Sequence, residues 1–82
     1  MTILPLHPDI QQYIVQRGLV RKFEKQERLF LENPFYPGLE TELLEPRRMR
    51  IWSFRIDKKY RAIFIFLDPD TVEIIDVNNH YQ

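Results

Sequence analysis

The segment 60–67 (Tyr-Arg-Ala-Ile-Phe-Ile-Phe-Leu) contains the longest apolar run in the chain, the six residues 62–67. A membrane-spanning helix takes about 20 apolar residues, so this run is far too short for one. Bounded by polar turns, it reads instead as a central β-strand covered on both faces. Asp57-Lys58-Lys59 precedes it and Asp68-Pro69-Asp70 follows, the proline standing where a turn already wants its fixed φ. A central strand needs neighbours, and the flanking segments supply them. Residues 48–56 alternate, with Arg50, Trp52, Phe54 and Ile56 on one face and Met49, Ile51, Ser53 and Arg55 on the other. That period of two indicates a strand. Residues 71–77 (Thr-Val-Glu-Ile-Ile-Asp-Val) complete a meander, and residues 1–4 offer one more short strand.

The half before residue 34 has helical spacing. Ile10, Tyr13 and Ile14 fall at i, i+3 and i+4, behind a proline at the first helical position and an Asp in the first turn. The spacing predicts a helix over 8–17, ended by Gly18 in the left-handed conformation. A second helix over about 19–32 places Val20, Phe23, Glu27 and Phe30 on one stripe, with Glu27 near its edge. Asn33-Pro34 stops it, because the residue before proline is steered out of the α region. From Pro34 to Pro46, three prolines and Gly38 break the chain into turns. The expected fold is therefore α+β, with an N-terminal helical hairpin packed on a small antiparallel sheet in the order β-α-α-β-β-β.

Length and residue inventory limit the chemistry. Eighty-two residues make one domain, 1–82, with a core small enough to need large side chains; six Phe, four Tyr and one Trp provide them. The N-terminus lacks the basic start and apolar stretch of a signal peptide, so a cytoplasmic protein is expected, with no membrane partner. There is no cysteine, hence neither disulfides nor thiolate catalysis. Two glycines cannot build a phosphate-binding loop or a dinucleotide fingerprint. His7 and His80 lack zinc-site spacing, and no cofactor is expected. Any catalysis must use carboxylate, arginine, histidine and tyrosine.

Net charge is zero, with 12 basic and 12 acidic residues, yet the distribution is uneven. Arg47, Arg48, Arg50, Arg55, Lys58, Lys59 and Arg61 crowd one segment with Asp57 as its lone acid, and beyond Ala62 there are four acids and no Lys or Arg. A basic hairpin on a neutral protein is a local anion-attracting surface. The plain alternative is a solvated sheet edge kept from aggregating by its charges. Five of the seven are Arg, whose planar fork suits phosphate.

The residues Asn33-Pro34, Pro37-Gly38-Leu39, Leu43-Leu44, Trp52-Ser53-Phe54-Arg55-Ile56 and Tyr60-Arg61-Ala62-Ile63-Phe64, in that order, resemble the RelE/ParE toxin superfamily of type II toxin–antitoxin systems. The ending Asn79-His80-Tyr81-Gln82 is similar to the His-Tyr ending of the YoeB-like ribonuclease branch. The resemblance implies an mRNA interferase that cuts message in the ribosomal A site without a metal and is held in check by a cognate antitoxin. In that reaction the ribose 2′-hydroxyl attacks the adjacent phosphate, which needs a base, cations for the developing charge and an acid for the leaving oxygen. Carried over by position, Glu42 is the base, Arg61 the catalytic cation, and His80 with Tyr81 the terminal pair. Arg48, Arg50, Arg55, Lys58 and Lys59 become candidates for holding RNA.

Other readings of the same residues stay open at this point. Glu42 lies in an acidic run with Glu40 and Glu45, and Arg61 could pair with Asp57 or Glu73. His80 and Tyr81 could belong to an inert tail. The resemblance also admits a ParE-like toxin that binds DNA gyrase without catalysis, or a toxin-fold module that only binds. Zero net charge departs from the Lys- and Arg-rich ribonuclease toxins and implies weaker affinity for ribosomal RNA, because fewer cations release fewer counterions.

Overall fold

A computed structural model describes residues 1–79. Helix α1 spans Pro8–Gln16 and α2 spans Val20–Glu32. Pro8 takes the first helical position, and the His7 ring nitrogen accepts from the Asp9 N–H at 3.1 Å, capping the helix. Gly18 adopts φ +67° and turns the chain from one helix into the next. Asn33 is extended, φ −159°, and its side-chain oxygen accepts from the Phe35 N–H, so α2 ends where the Asn-Pro step requires.

Five strands follow the order β1-β5-β4-β3-β2: β1 Thr2–Ile3, β2 Glu42–Leu43, β3 Trp52–Arg55, β4 Arg61–Asp68 and β5 Thr71–Asn78. The expected α+β class and the β3-β4-β5 meander are both present. Two features refine the expectation. Residues 1–4 contribute a strand, but it lies parallel to β5, which makes the sheet mixed. The segment expected to be turns contains β2, which pairs antiparallel with β3.

The strand expected over 48–56 begins at Trp52. Before it, Arg47–Met49 make a 3₁₀ turn and Arg50 takes a left-handed φ of 54°. The alternation over 48–50 therefore has no sheet behind it, and Arg50 does not share a strand face with Trp52. Ladder pairing resumes where the Leu44 N–H donates to the Ile51 carbonyl at 2.8 Å.

The helices cover one face of the sheet. Phe30 of α2 meets Phe54 of β3 at 4.9 Å and Phe64 of β4 at 5.0 Å between ring centroids, and all three are fully buried. Phe23, Ile14, Leu19 and Leu39 close around them, with Ala62, Val72, Ile74 and Val77 on the sheet side. Strand β4 is covered on both faces only in its first half. Ile63, on the face away from the helices, is buried, whereas Leu67 is exposed. Among the described residues no helix is long and apolar enough to cross a membrane.

The stripe of α2 includes a member that hydrophobicity does not reveal. Gln26 lies three residues after Phe23 and four before Phe30, on the buried face, and is itself buried. Its amide donates to the Arg55 carbonyl at 2.7 Å and to the Gly38 carbonyl at 3.2 Å. A buried amide must be satisfied, and this one ties the 37–39 turn to the end of β3.

Candidate active site

The register of β2, β3 and β4 sets up a polar cluster on the face away from the helices. Glu42 stands opposite Ser53, which stands opposite Ile63, and Ile63 opposite Asp76. Two residues along, Arg55 of β3 is directly opposite Arg61 of β4. Phe54, Ala62 and Phe64 point into the core, so Ser53, Arg55, Arg61 and Ile63 point the other way.

Arg61 is the best-held residue of the cluster. Its side chain is 11% exposed, and a guanidinium that deep needs acceptors. Nε donates to Ser53 Oγ at 2.8 Å, and Nη2 donates to the Glu40 carbonyl and, at a longer 3.4 Å, to the Ser53 carbonyl. Nη2 also lies 3.9 Å from Glu42 Oε1. The ion pairs considered from sequence, with Asp57 or Glu73, do not form among the described residues. Asp57 is taken by Lys22 of α2 at 3.0 Å and by the N–H groups of Lys59 and Tyr60. Glu42 is 56% exposed, so its carboxylate faces both Arg61 and solvent.

Arg55 pairs with Glu40 through Nη1. Glu40 thus serves both arginines, Arg55 with its carboxylate and Arg61 with its main-chain carbonyl. It does so in a left-handed conformation, φ 47° and ψ 45°, directly after the 3₁₀ turn Pro37–Leu39. A non-glycine residue there costs about 1–2 kcal/mol. Buried Leu39 and the Gln26 amide hold the turn in place.

The remaining candidates lie elsewhere on the chain. Arg48 and Arg50 belong to the turn before β3, where the Arg50 guanidinium sits 5.6 Å over the Trp52 ring. Lys58 and Lys59 occupy the hairpin turn between β3 and β4, with Lys59 Nζ 5.7 Å from the Tyr60 ring. His80 and Tyr81 lie outside the described residues. The structure therefore brings together Glu42, Arg55 and Arg61. It adds Glu40, Ser53 and Gln26, which sequence reasoning did not assign to the site. Gln26 had a signal, since a glutamine on an apolar helical stripe is a candidate for a buried bond. Glu40 had none for its contact with Arg61, because what it offers there is a backbone atom. Among the described residues no group of three His, Asp or Glu side chains could hold a metal ion.

Such a cluster can bind and stabilise an anion. Two guanidinium groups side by side, one of them rigidly held, present donors to phosphate oxygens. A carboxylate beside them and open to solvent can accept a proton from a substrate hydroxyl.

No family model matches the chain, and no curated protein matches it in sequence. Solved structures do match. A YoeB/ParE toxin from Agrobacterium tumefaciens superposes with a TM-score of 0.71 at 22% identity, over 99% of this chain and 100% of that one. A YoeB-YefM complex from Staphylococcus aureus gives 0.69 at 20% identity, over 96% and 95%, and a YoeB dimer from the same organism gives 0.66 at 22%, over 98% and 94%. The chain has the fold of YoeB/ParE toxins. Within it, the likeness is to YoeB structures over nearly the whole length.

Proposed function

We propose that the protein is the toxin of a toxin–antitoxin pair and a metal-independent endoribonuclease acting on mRNA, most simply on the ribosome. The observation that carries this reading is the Arg55–Arg61 pair with Glu42 3.9 Å from Arg61, on a sheet face that the helices leave uncovered. The complexes of YoeB with YefM support a cognate antitoxin as the partner.

In this reading Glu42 takes the proton of a ribose 2′-hydroxyl, and the 2′-oxygen attacks the adjacent phosphorus. Arg61 and Arg55 stabilise the charge that builds on the phosphoryl oxygens. The bond from phosphorus to the 5′-oxygen breaks, and an acid returns a proton to that oxygen, leaving a 2′,3′-cyclic phosphate and a 5′-hydroxyl. His80 is proposed as that acid, since an imidazole titrates near neutrality, with Tyr81 beside it against a base. Asn78, the last residue of β5, is the cross-strand partner of Arg61, and His80 follows it by two residues in sequence. Arg48, Arg50, Lys58 and Lys59 are proposed to hold the flanking RNA.

Expression without an antitoxin tests the proposal. Growth arrest with mRNA cut on the ribosome is expected, with cyclic-phosphate and 5′-hydroxyl ends, and both are lost in Arg61→Ala and His80→Ala. Arrest that persists in both variants refutes the assigned roles. Arrest with DNA damage signalling and intact message selects gyrase as the target instead.

A further inference from the structure

Like charges directly opposite on neighbouring strands repel, and Arg55 and Arg61 are such a pair. One residue answers both. The Glu40 carboxylate is the ion partner of Arg55, and the Glu40 carbonyl accepts from Arg61. These two contacts differ in kind. The first depends on a side-chain charge at the surface, with Arg55 35% and Glu40 54% exposed. The second depends only on the backbone, which Gln26 secures from below through the Gly38 and Arg55 carbonyls.

A carboxylate and a phosphodiester each carry one negative charge and offer two oxygens to a guanidinium fork. We infer that the Glu40 carboxylate holds the position on Arg55 that a backbone phosphate of bound RNA takes, so that Glu40, acting through Arg55, sets the threshold for phosphate binding. The inference rests on the ribonuclease reading. When RNA arrives, its phosphate replaces the carboxylate on Arg55 and the Glu40 side chain turns into solvent. Arg61 does not move in this exchange, because Ser53 Oγ and the Glu40 carbonyl still hold it. Among the described residues its Nη1 has no partner, and since no buried side-chain nitrogen is unsatisfied there, Nη1 reaches solvent. In this inference phosphate meets no competing protein group at Nη1 of Arg61, whereas on Arg55 it must displace the Glu40 carboxylate.

Wild type, Glu40→Gln, Glu40→Gly, Arg61→Ala, Arg55→Ala and the Glu40→Gln, Arg55→Ala double variant are titrated with inorganic phosphate and with a short single-stranded RNA blocked by 2′-O-methyl groups. Binding is followed on the Nε–H NMR signals of the arginines. Glu40→Gln keeps the backbone contact and removes the charge. Glu40→Gly suits the left-handed backbone and removes the side chain, so a folding defect in one variant does not hide the answer. Both are expected to tighten RNA binding by about two- to fivefold, the scale of an exposed ion pair. Arg55→Ala should weaken binding more in the Glu40→Gln background than in wild type. RNA binding unchanged or weakened in both Glu40 variants, while Arg61→Ala still abolishes it, overturns the inference and leaves the nuclease reading standing. RNA binding indifferent to Arg61→Ala removes both. Tightening of inorganic phosphate alone also overturns it, by reducing the site to one for small anions.

Discussion

Gln26 in the middle of α2 donates to the main-chain carbonyl of Arg55 at 2.7 Å, which makes a core helix the anchor for a residue on the opposite face of the sheet. The same amide holds the Gly38 carbonyl, so the two backbone segments flanking the arginine cluster share one buried donor. Gln26→Leu keeps the volume and removes the donor, leaving two carbonyls without it. The expected loss is about 1–3 kcal/mol, read as a lower urea midpoint with an unchanged slope. Amide exchange should quicken first in residues 37–40, because that turn loses its tie to α2.

Ser53 is the lone serine, fully buried, and its hydroxyl is the acceptor for Arg61 Nε. Ser53→Ala leaves a guanidinium N–H of a nearly buried side chain without its acceptor, at a cost of about 1–3 kcal/mol. Ser53→Thr restores the oxygen but adds a methyl group at a fully buried position. Alanine is therefore expected to lower stability and disturb the Arg61 Nε–H signal, while threonine lowers stability with that signal preserved. An alanine variant as stable as wild type would show that Arg61 finds another acceptor.

Elements set by local chemistry could be read before any contact was known. Pro8, Gly18 and Asn33-Pro34 mark the helix ends, and the polar turns around 60–67 and 71–77 mark two strands, within a residue or two of those observed. Elements set by pairing could not. Strand β2 is two residues long and exists because Ser53 and Trp52 stand opposite it. Residues 48–50 alternate as a strand does, but Arg50 turns left-handed and the ladder starts after it. The same division holds at the site. Arg55, Arg61 and Glu42 are named by resemblance, whereas their adjacency is a matter of register. Glu40 reaches Arg61 through a carbonyl, an atom that every residue has, so that half of its role leaves no mark in the sequence; its carboxylate pair with Arg55 depends on the fold of the 37–40 turn.

Glu27 borders a groove of about 550 Å³ between the helices and the segment after β1, beside Phe23, Ile14 and Leu4. Burial raises its pKa, and neighbouring Glu24 raises it further. A carboxyl whose folded pKa lies above its unfolded value costs stability that begins as pH rises through the unfolded value and is complete above the folded one. Glu27→Gln is therefore expected to raise the melting temperature at pH 7. The gain should shrink on acidification and vanish below the ordinary value near 4.5. Melting curves from pH 4 to 8 check this, and a gain that does not change with pH would assign it to packing instead.

Asp57 shows the opposite sign. Burial pushes its carboxyl up, but the N–H groups of Lys59 and Tyr60 and the Lys22 ammonium outweigh burial and hold the pKa below its ordinary value. A depressed folded pKa contributes stability that is complete above the unfolded value near 3.8 and is lost as pH falls through the folded one. The bonds also fix the turn joining β3 to β4, and with it the register that sets Arg55 against Arg61. Asp57→Asn keeps the Oδ1 that accepts from both N–H groups, but it takes the charge out of those bonds and sets an amide NH₂ where Oδ2 faced Lys22. The variant should be less stable than wild type at pH 7, and the difference should shrink as pH falls below the unfolded value near 3.8 and through the lower folded one. Lys22→Met separates the contributions. It removes the ion pair and leaves both turn bonds, so its loss should be the smaller, within about 1 kcal/mol for a partly exposed pair. A Lys22→Met loss equal to that of Asp57→Asn would place the whole effect in the ion pair and none in the turn.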